Sequence, residues 1–73
     1  MPTKLSIRLG QTIRRLRKAN NLTQAQAAHY AGMPRLIWGR IEQGNGNPTL
    51  ATLEAVAYTL NTDLYELIKM SEL

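Results

Sequence analysis

The chain has no cysteine, one histidine and four aromatic residues among its 73. Without cysteine it has neither a disulfide nor a zinc-thiolate centre, staples on which many domains of this size depend. Oligomerisation is then the expected supplement to one modest core. The carboxylates lie too far along the chain from His29 to build a metal site with it, and no serine, histidine and acid stand at an obvious catalytic spacing. The expectation is a binding protein and not an enzyme, with no metal, no cofactor and no small-molecule ligand. Long apolar runs are missing too. No window approaches the roughly 18 uninterrupted apolar residues of a membrane span, and the N-terminus lacks the apolar run of a signal peptide. A soluble, intracellular protein with no membrane partner is expected.

Acidic residues are absent from the whole first part of the chain. Through Ile41 it carries Lys4, Arg8, Arg14, Arg15, Arg17, Lys18, Arg35 and Arg40 with no acid, a charge of +8. From Glu42 onward Glu42, Glu54, Asp63, Glu66 and Glu72 face only Lys69, a charge of −4, and the two parts sum to the net +4. One half is thus suited to a polyanion and the other is not.

What is present is helical punctuation. Asn20-Asn21, Gly32, the run Gly44-Asn45-Gly46-Asn47-Pro48, and Asn61-Thr62 divide the chain into five short segments, none with a period of two. Leu5, Leu9, Ile13 and Leu16 lie on one face of a first helix whose other face carries Arg8, Arg14, Arg15 and Lys18. Thr23 followed three residues on by Gln26 is a capping-box pattern that opens a second helix, closed by Gly32. Pro34 is placed at the first position of a third, which ends before Gly44. Leu50, Leu53, Val56, Ala57 and Leu60 make the stripe of a fourth helix capped by Thr49. Asp63 with Glu66 repeats the capping box before a fifth helix with Leu64, Leu67 and Ile68 on its apolar face. The reading is an all-α bundle of five helices forming one domain over residues 1–73, with central helices at about 23–31 and 34–43.

The stretch TQAQAAHYAGMPRLIWGRIEQG, from Thr23 to Gly44, resembles the helix-turn-helix of the phage repressor and Cro family, also called XRE-like. LGQTIRRLRKANNLTQ is similar to that family's first helix, and IEQGNGNPTLATLEAVAYTL to its third-helix exit, loop and fourth helix, so the resemblance spans roughly residues 9 to 68. It implies a lambda-repressor-like DNA-binding domain and a transcriptional regulator. Such a protein acts as a homodimer on double-stranded DNA, lays the motif's second helix in the major groove and meets two half-sites about one helical turn apart. The loop NPTL looks like that of restriction-modification controller proteins, and a prophage-type regulator is similar as well. The resemblance implies a bacterial or phage-encoded protein of the cytoplasm, associated with the nucleoid.

Carried onto this chain, the resemblance assigns DNA contact to Thr23 and Gln24 at the start of the second helix. On the third it assigns Arg35 and Leu36 in the first turn and Arg40 about a turn and a half along; Gly39 is a further candidate, and Gln43, Asn45 and Asn47, in and after the exit turn, form either a plain turn or one that also contacts phosphate. Arginine can fork onto guanine and leucine can press on a thymine methyl. Ile37 is expected to be exposed beside the groove. The glycines at 44 and 46 permit positive φ and a close backbone approach, and the asparagines tolerate the same region. The resemblance also pairs Arg17 with Glu42 as a structural salt bridge, since arginine can grip a carboxylate at two points. His29 and Tyr30 are expected to be partly buried helix residues and not ligands. Tyr58, Leu64, Tyr65, Leu67 and Ile68, with Met70 and Leu73, are more apolar side chains than a terminal helix needs, and are expected to form a dimer interface.

The chain departs from the family in three places. Ala27 replaces a usual leucine and Trp38 a small β-branched residue, an exchange that conserves volume if the Trp38 ring fills the space over Ala27. Pro34 replaces the usual serine or threonine cap. Gly39 puts a glycine inside the third helix at about 1 kcal/mol relative to alanine, which suggests a close approach there. The alternative function is an antitoxin or protein-interaction module of the same fold with little DNA-binding role. RNA binding lacks the exposed aromatics that stack on single-stranded bases.

Overall fold

The computed structural model describes residues 2–72. Its elements are α1 (Lys4–Ala19), α2 (Gln24–Ala31), α3 (Arg35–Glu42), α4 (Leu50–Thr59) and α5 (Leu64–Ser71). Each break in the chain has a local cause. Asn21 and Asn61 adopt left-handed φ values of 58° and 60°, and Gly32 closes α2 at 74°. Met33 N–H then reaches back to Ala28 O, satisfying a carbonyl that the helix end leaves free. Thr3, Thr23, Thr49 and Asp63 each accept the third backbone N–H of the helix that follows. At Thr3 and Thr23 the bond is reciprocated and the capping box is complete. At Asp63 only the first half forms, so the expected box is a single cap. Pro34 is the N-cap of α3 and not its first helical residue: its ψ of 145° is extended, and it offers no side-chain acceptor.

α1 packs against α3 and α5, α2 against α3 and α4, and α4 against α5. The shared interior holds Ile13, Trp38, Val56 and Leu67, all fully buried, with Leu9, Ala27, Ala28, Ile41, Ala57 and Leu60 around them. Three apolar residues depart from their expected places. Leu5 is 46% exposed, because the first turn of α1 projects past the core and meets the α3–α4 loop instead, with Ser6 Oγ donating to Gly44 O at 3.1 Å. Leu50, in the first turn of α4, is 71% exposed. Ile37 is half-buried and packs against the core, so it does not stand free beside a groove.

The seat of α3 on α1 depends on a residue the sequence reading passed over. A Cβ at Gly10 would stand 2.6 Å from Ile41 O and closer still to Glu42 O. The backbones of α1 and the end of α3 therefore touch, and only glycine permits it. Gly44 makes a second close approach: at φ 78° it brings its Cα side against Ile7, whose Cα would lie 2.8 Å from an added Cβ. These two contacts fix the exit of α3 between the first turns of α1 and the rest of the bundle.

Candidate nucleic-acid interface

α3 sorts its residues by face. Trp38, Ile41 and Glu42 are buried, whereas Arg35, Leu36 and Arg40 are exposed and Gly39 lies half-buried between them. Positions 35, 36, 39, 40 and 43 share one side of a helix because they recur at intervals of three and four. Leu36, at 64% exposure, is an uncovered apolar side chain that lies between two arginines in the sequence of α3. The outward face of α3 carries two cations and no acid, since its one acid, Glu42, points inward.

Glu42 is the hub of the motif. Arg17 grips it at two points, Nε to Oε2 at 2.6 Å and Nη2 to Oε1 at 3.1 Å, with both side chains nearly inaccessible to water. Gln24 Nε2 donates to Oε1 at 3.0 Å, and the Trp38 indole N–H donates to Oε2. Burial raises the carboxyl pKa, but the bonds from Arg17, Gln24 and Trp38 outweigh it and hold the group below its ordinary 4.5. Arg17 Nη1 also donates to Leu22 O at 2.9 Å. One ion pair thus ties together α1, the α1–α2 connection, the start of α2 and the end of α3. The Arg17–Glu42 pairing was readable from the resemblance; the contributions of Gln24 and Trp38 were not, because they depend on how α2 crosses α3.

Thr23 is exposed at the start of α2 and serves as its cap, while Gln24 is half-buried against Glu42. After α3, Gln43 is exposed as the C-cap, and Asn45 and Asn47 are exposed in the loop. Positive φ falls on Gly44 and Gly46 alone in this loop, so the two asparagines do not use the left-handed region there. Asn45 N–H returns to Arg40 O at 2.9 Å and folds the loop back beside α3. Ile37, Arg40, Asn45, Asn47 and Thr49 border a shallow depression between that helix and the loop. The N-terminus of α2, the outer face of α3 and this loop thus make up the surface that the sequence residues mark.

The carboxyl-terminal side is different in chemistry. Tyr58 and Tyr65 are 85% and 72% exposed, and Leu64 and Ile68 are half-buried beside them. Leu67, expected among the interface residues, lies instead at 0% exposure inside the core, where its side chain reaches no partner. Leu73 lies outside the described residues. His29 and Tyr30, expected to be partly buried, are both exposed, Tyr30 at 70%, with their rings edge to face at 5.9 Å; with Tyr58 and Tyr65, three of the four aromatic residues are exposed, against the expectation that exposed aromatics are lacking. Among the described residues no cluster of His, Asp and Glu could hold a metal ion, and no helix is long and apolar enough to cross a membrane.

Comparison with known proteins agrees with this architecture. A family model described as a helix-turn-helix domain matches residues 8–67. The control protein C.SmaI of Serratia marcescens is 38% identical over 60 residues, which cover 82% of this chain and 71% of that protein. The immunity repressor of Bacillus phage phi105 is 40% identical over 60 residues, and the match spans only 42% of its length. Among solved structures, the restriction-modification controller protein C.AhdI of Aeromonas hydrophila superposes with a TM-score of 0.80 at 33% identity, over 84% of this chain and 92% of that one. With its five helices, its glycine-closed turn and its outward basic third helix, this chain belongs to the helix-turn-helix domain family of DNA-binding transcriptional regulators.

Proposed function

We propose that the chain acts as a single domain that pairs with a second copy and binds a two-fold symmetric operator, with α3 in the major groove of each half-site. The observation that carries this reading is the division of charge on α3: Arg35 and Arg40 face outward while Glu42 is withdrawn into the Arg17 pair. An outward carboxylate at the end of α3 would repel phosphate, and its internal pairing removes that penalty. Arg35 in the first turn forks onto a guanine, Leu36 packs on a thymine methyl, and Arg40 reaches a base edge or phosphate. Thr23, Gln43, Asn45 and Asn47 flank this helix and position it on the DNA backbone, a role that fixes register without reading sequence. Gly39 lets the duplex come close to α3. Tyr58, Leu64, Tyr65 and Ile68 supply the apolar surface of the dimer, with Leu67 supporting it from the core.

The relatives include phage and restriction-modification regulators, and the controller kind is the subclass we favour. The chain matches C.AhdI over nearly the whole of that protein, but spans less than half of the phage immunity repressor. Location in the bacterial cytoplasm, on the nucleoid, follows from such a role.

Selection of bound fragments from random double-stranded DNA tests the reading. The expected result is a symmetric site with half-sites about 34 Å apart, bound about a thousandfold more weakly at 200 mM than at 50 mM salt. A chain that selects no site, or whose binding ignores salt, belongs to the protein-interaction class instead.

A further inference from the structure

We propose that an exposed ridge of α1, built from Lys4, Arg8, Arg15 and Lys18, is a second phosphate-binding surface that holds duplex DNA lying outside the half-site met by α3. The inference rests on the DNA-binding reading above and adds to it a surface that the helix-turn-helix motif does not include. Positions 4, 8, 11, 15 and 18 recur at intervals of four and three, so they form one stripe along the helix, about 21 Å long at 1.5 Å per residue. All five side chains are exposed; four are cations and the fifth is Gln11. The stripe is separate from the recognition surface. Gly10 and Arg17 mark the side of α1 that meets α3, and at 3.6 residues per turn the stripe lies about 130° round the helix from them. Its neighbour is α5 instead: Arg8, Gln11 and Arg15 border a depression with Met70 and Ser71.

The fold gains nothing from this ridge. Among the described residues the one ion pair is Arg17–Glu42, so none of the four cations has an acidic partner, and Glu72, the C-cap of α5 next to Ser71, pairs with none of them. Lys4 and Arg8, four apart, repel each other along the helix surface, as do Arg15 and Lys18, three apart, and Arg14 and Lys18 beside the stripe. Lys4 is the first residue of α1, where the positive end of the helix dipole disfavours a cation, and no acid stands in that turn. Only Lys18 sits where the dipole favours it. A local arrangement that opposes the fold and is not relieved within it marks a functional surface.

The chemistry of the ridge selects its partner. Protein interfaces concentrate their binding energy in aromatic and apolar anchors, and the ridge has none; the exposed tyrosines, Tyr30, Tyr58 and Tyr65, lie on α2, α4 and α5. A phosphate backbone needs no anchor, since each contact to lysine or arginine gains by releasing counterions. Arg8 and Arg15 carry forked donors that match phosphate oxygens. Gln11 adds an amide N–H between them, and Lys4 and Lys18 extend the line at both ends. Contacts of this kind carry no sequence information, so the ridge adds affinity without adding specificity. The chain measures only 26 × 22 × 20 Å. A dimer on its operator therefore meets the ridge with flanking DNA that bends toward it or with a second duplex.

The test compares the wild-type chain with a variant carrying Lys4→Gln, Arg8→Gln, Arg15→Gln and Lys18→Gln. With the mutual repulsion removed, the urea midpoint of the variant should equal or exceed that of the wild type. If the fourfold variant unfolds, Arg8→Gln with Arg15→Gln serves the same comparison. On a duplex that ends at the selected operator the two proteins should bind alike at about 150 mM salt, where charges more than about 8 Å away are screened. Extending the duplex by about 20 base pairs at each end should tighten the wild type about tenfold and steepen its salt dependence by about 0.9 for each phosphate engaged, with no gain for the variant. Where a second duplex is the partner, the wild-type operator complex should instead retain a labelled duplex of unrelated sequence that the variant complex does not. A wild type that responds to neither, or a variant that responds as strongly as the wild type, overturns the proposal, leaves the operator reading standing and turns attention to an acidic protein partner. Failure to select any DNA overturns the operator reading and this inference together.

Discussion

Two residues, Glu42 and Gly10, show how single atoms hold the motif in register. Glu42 is ionised and buried with its partners, so its protonation is linked to folding. In the unfolded chain it titrates near its ordinary 4.5, and in the folded chain below it. Its stabilising contribution is therefore complete above that ordinary value and is lost as pH falls through the lowered one. Urea midpoints should drop on acidification from about pH 5. Glu42→Gln should flatten that drop, and at neutral pH it should cost about 3 kcal/mol by leaving Arg17 buried without its counter-charge. An equally steep acid limb in the variant would show that other carboxylates dominate. Gly10 acts through absence. Gly10→Ala drives a methyl into the backbone of Ile41 and Glu42, which has no flexible atom to move aside. A loss of about 3 kcal/mol is expected, read as a lowered urea midpoint.

At the scale of elements, α3 is short and poorly capped, and its position is imposed by what it packs on. It has eight residues, an N-cap proline without a side-chain acceptor and an interior glycine. A helix this short is marginal by itself. Trp38 anchors it: the ring is fully buried in the same cluster as Ala27, which is also fully buried, on the helix that packs against α3. The small residue on α2 and the large one on α3 are two halves of one packing solution. Ala27→Leu should overpack this interface and lower stability by about 1–3 kcal/mol. An unchanged melting midpoint would mean that the ring does not fill the space above Ala27.

For the whole molecule, the charge polarity of the chain becomes a division of surfaces. Every basic residue but Lys69 lies on α1 or α3, all of them exposed except Arg17, and the acidic ones fall on α4, on α5 and its two caps, and in the inward pair. Tyr58 and Tyr65 stand on that second side and are too exposed to serve the core. If this is the surface where two copies meet, Tyr58→Ala with Tyr65→Ala should weaken dimerisation about tenfold or more, since buried tyrosines commonly dominate interfaces. Sedimentation should then show a dimer for the wild type at tens of micromolar and a monomer for the double variant. A wild-type monomer at that concentration would rule the surface out.

Much of this fold is legible in the sequence because it is local. The helix count follows from apolar spacing, and the breaks at Asn21, Gly32, Gly44 and Asn61 follow from residues that tolerate positive φ. Thr23 and Thr49 cap because a hydroxyl within three residues of a free N–H needs no tertiary partner. The outward placement of Arg35, Leu36 and Arg40 likewise follows from helical periodicity with Trp38 and Ile41 inside. Tertiary structure decided the rest, because those features depend on which helices touch. It drew Leu67 into the core, left Leu5 and Leu50 outside it, and folded Ile37 inward. It demanded glycine at position 10, where two backbones meet. It also gave Glu42 its second and third partners, so that an arginine pair implied by the resemblance became a joint of four hydrogen bonds that orients Gln24. Spacing along one chain reports the face a residue takes on its own helix; only the crossing of helices sets the atom it meets on another.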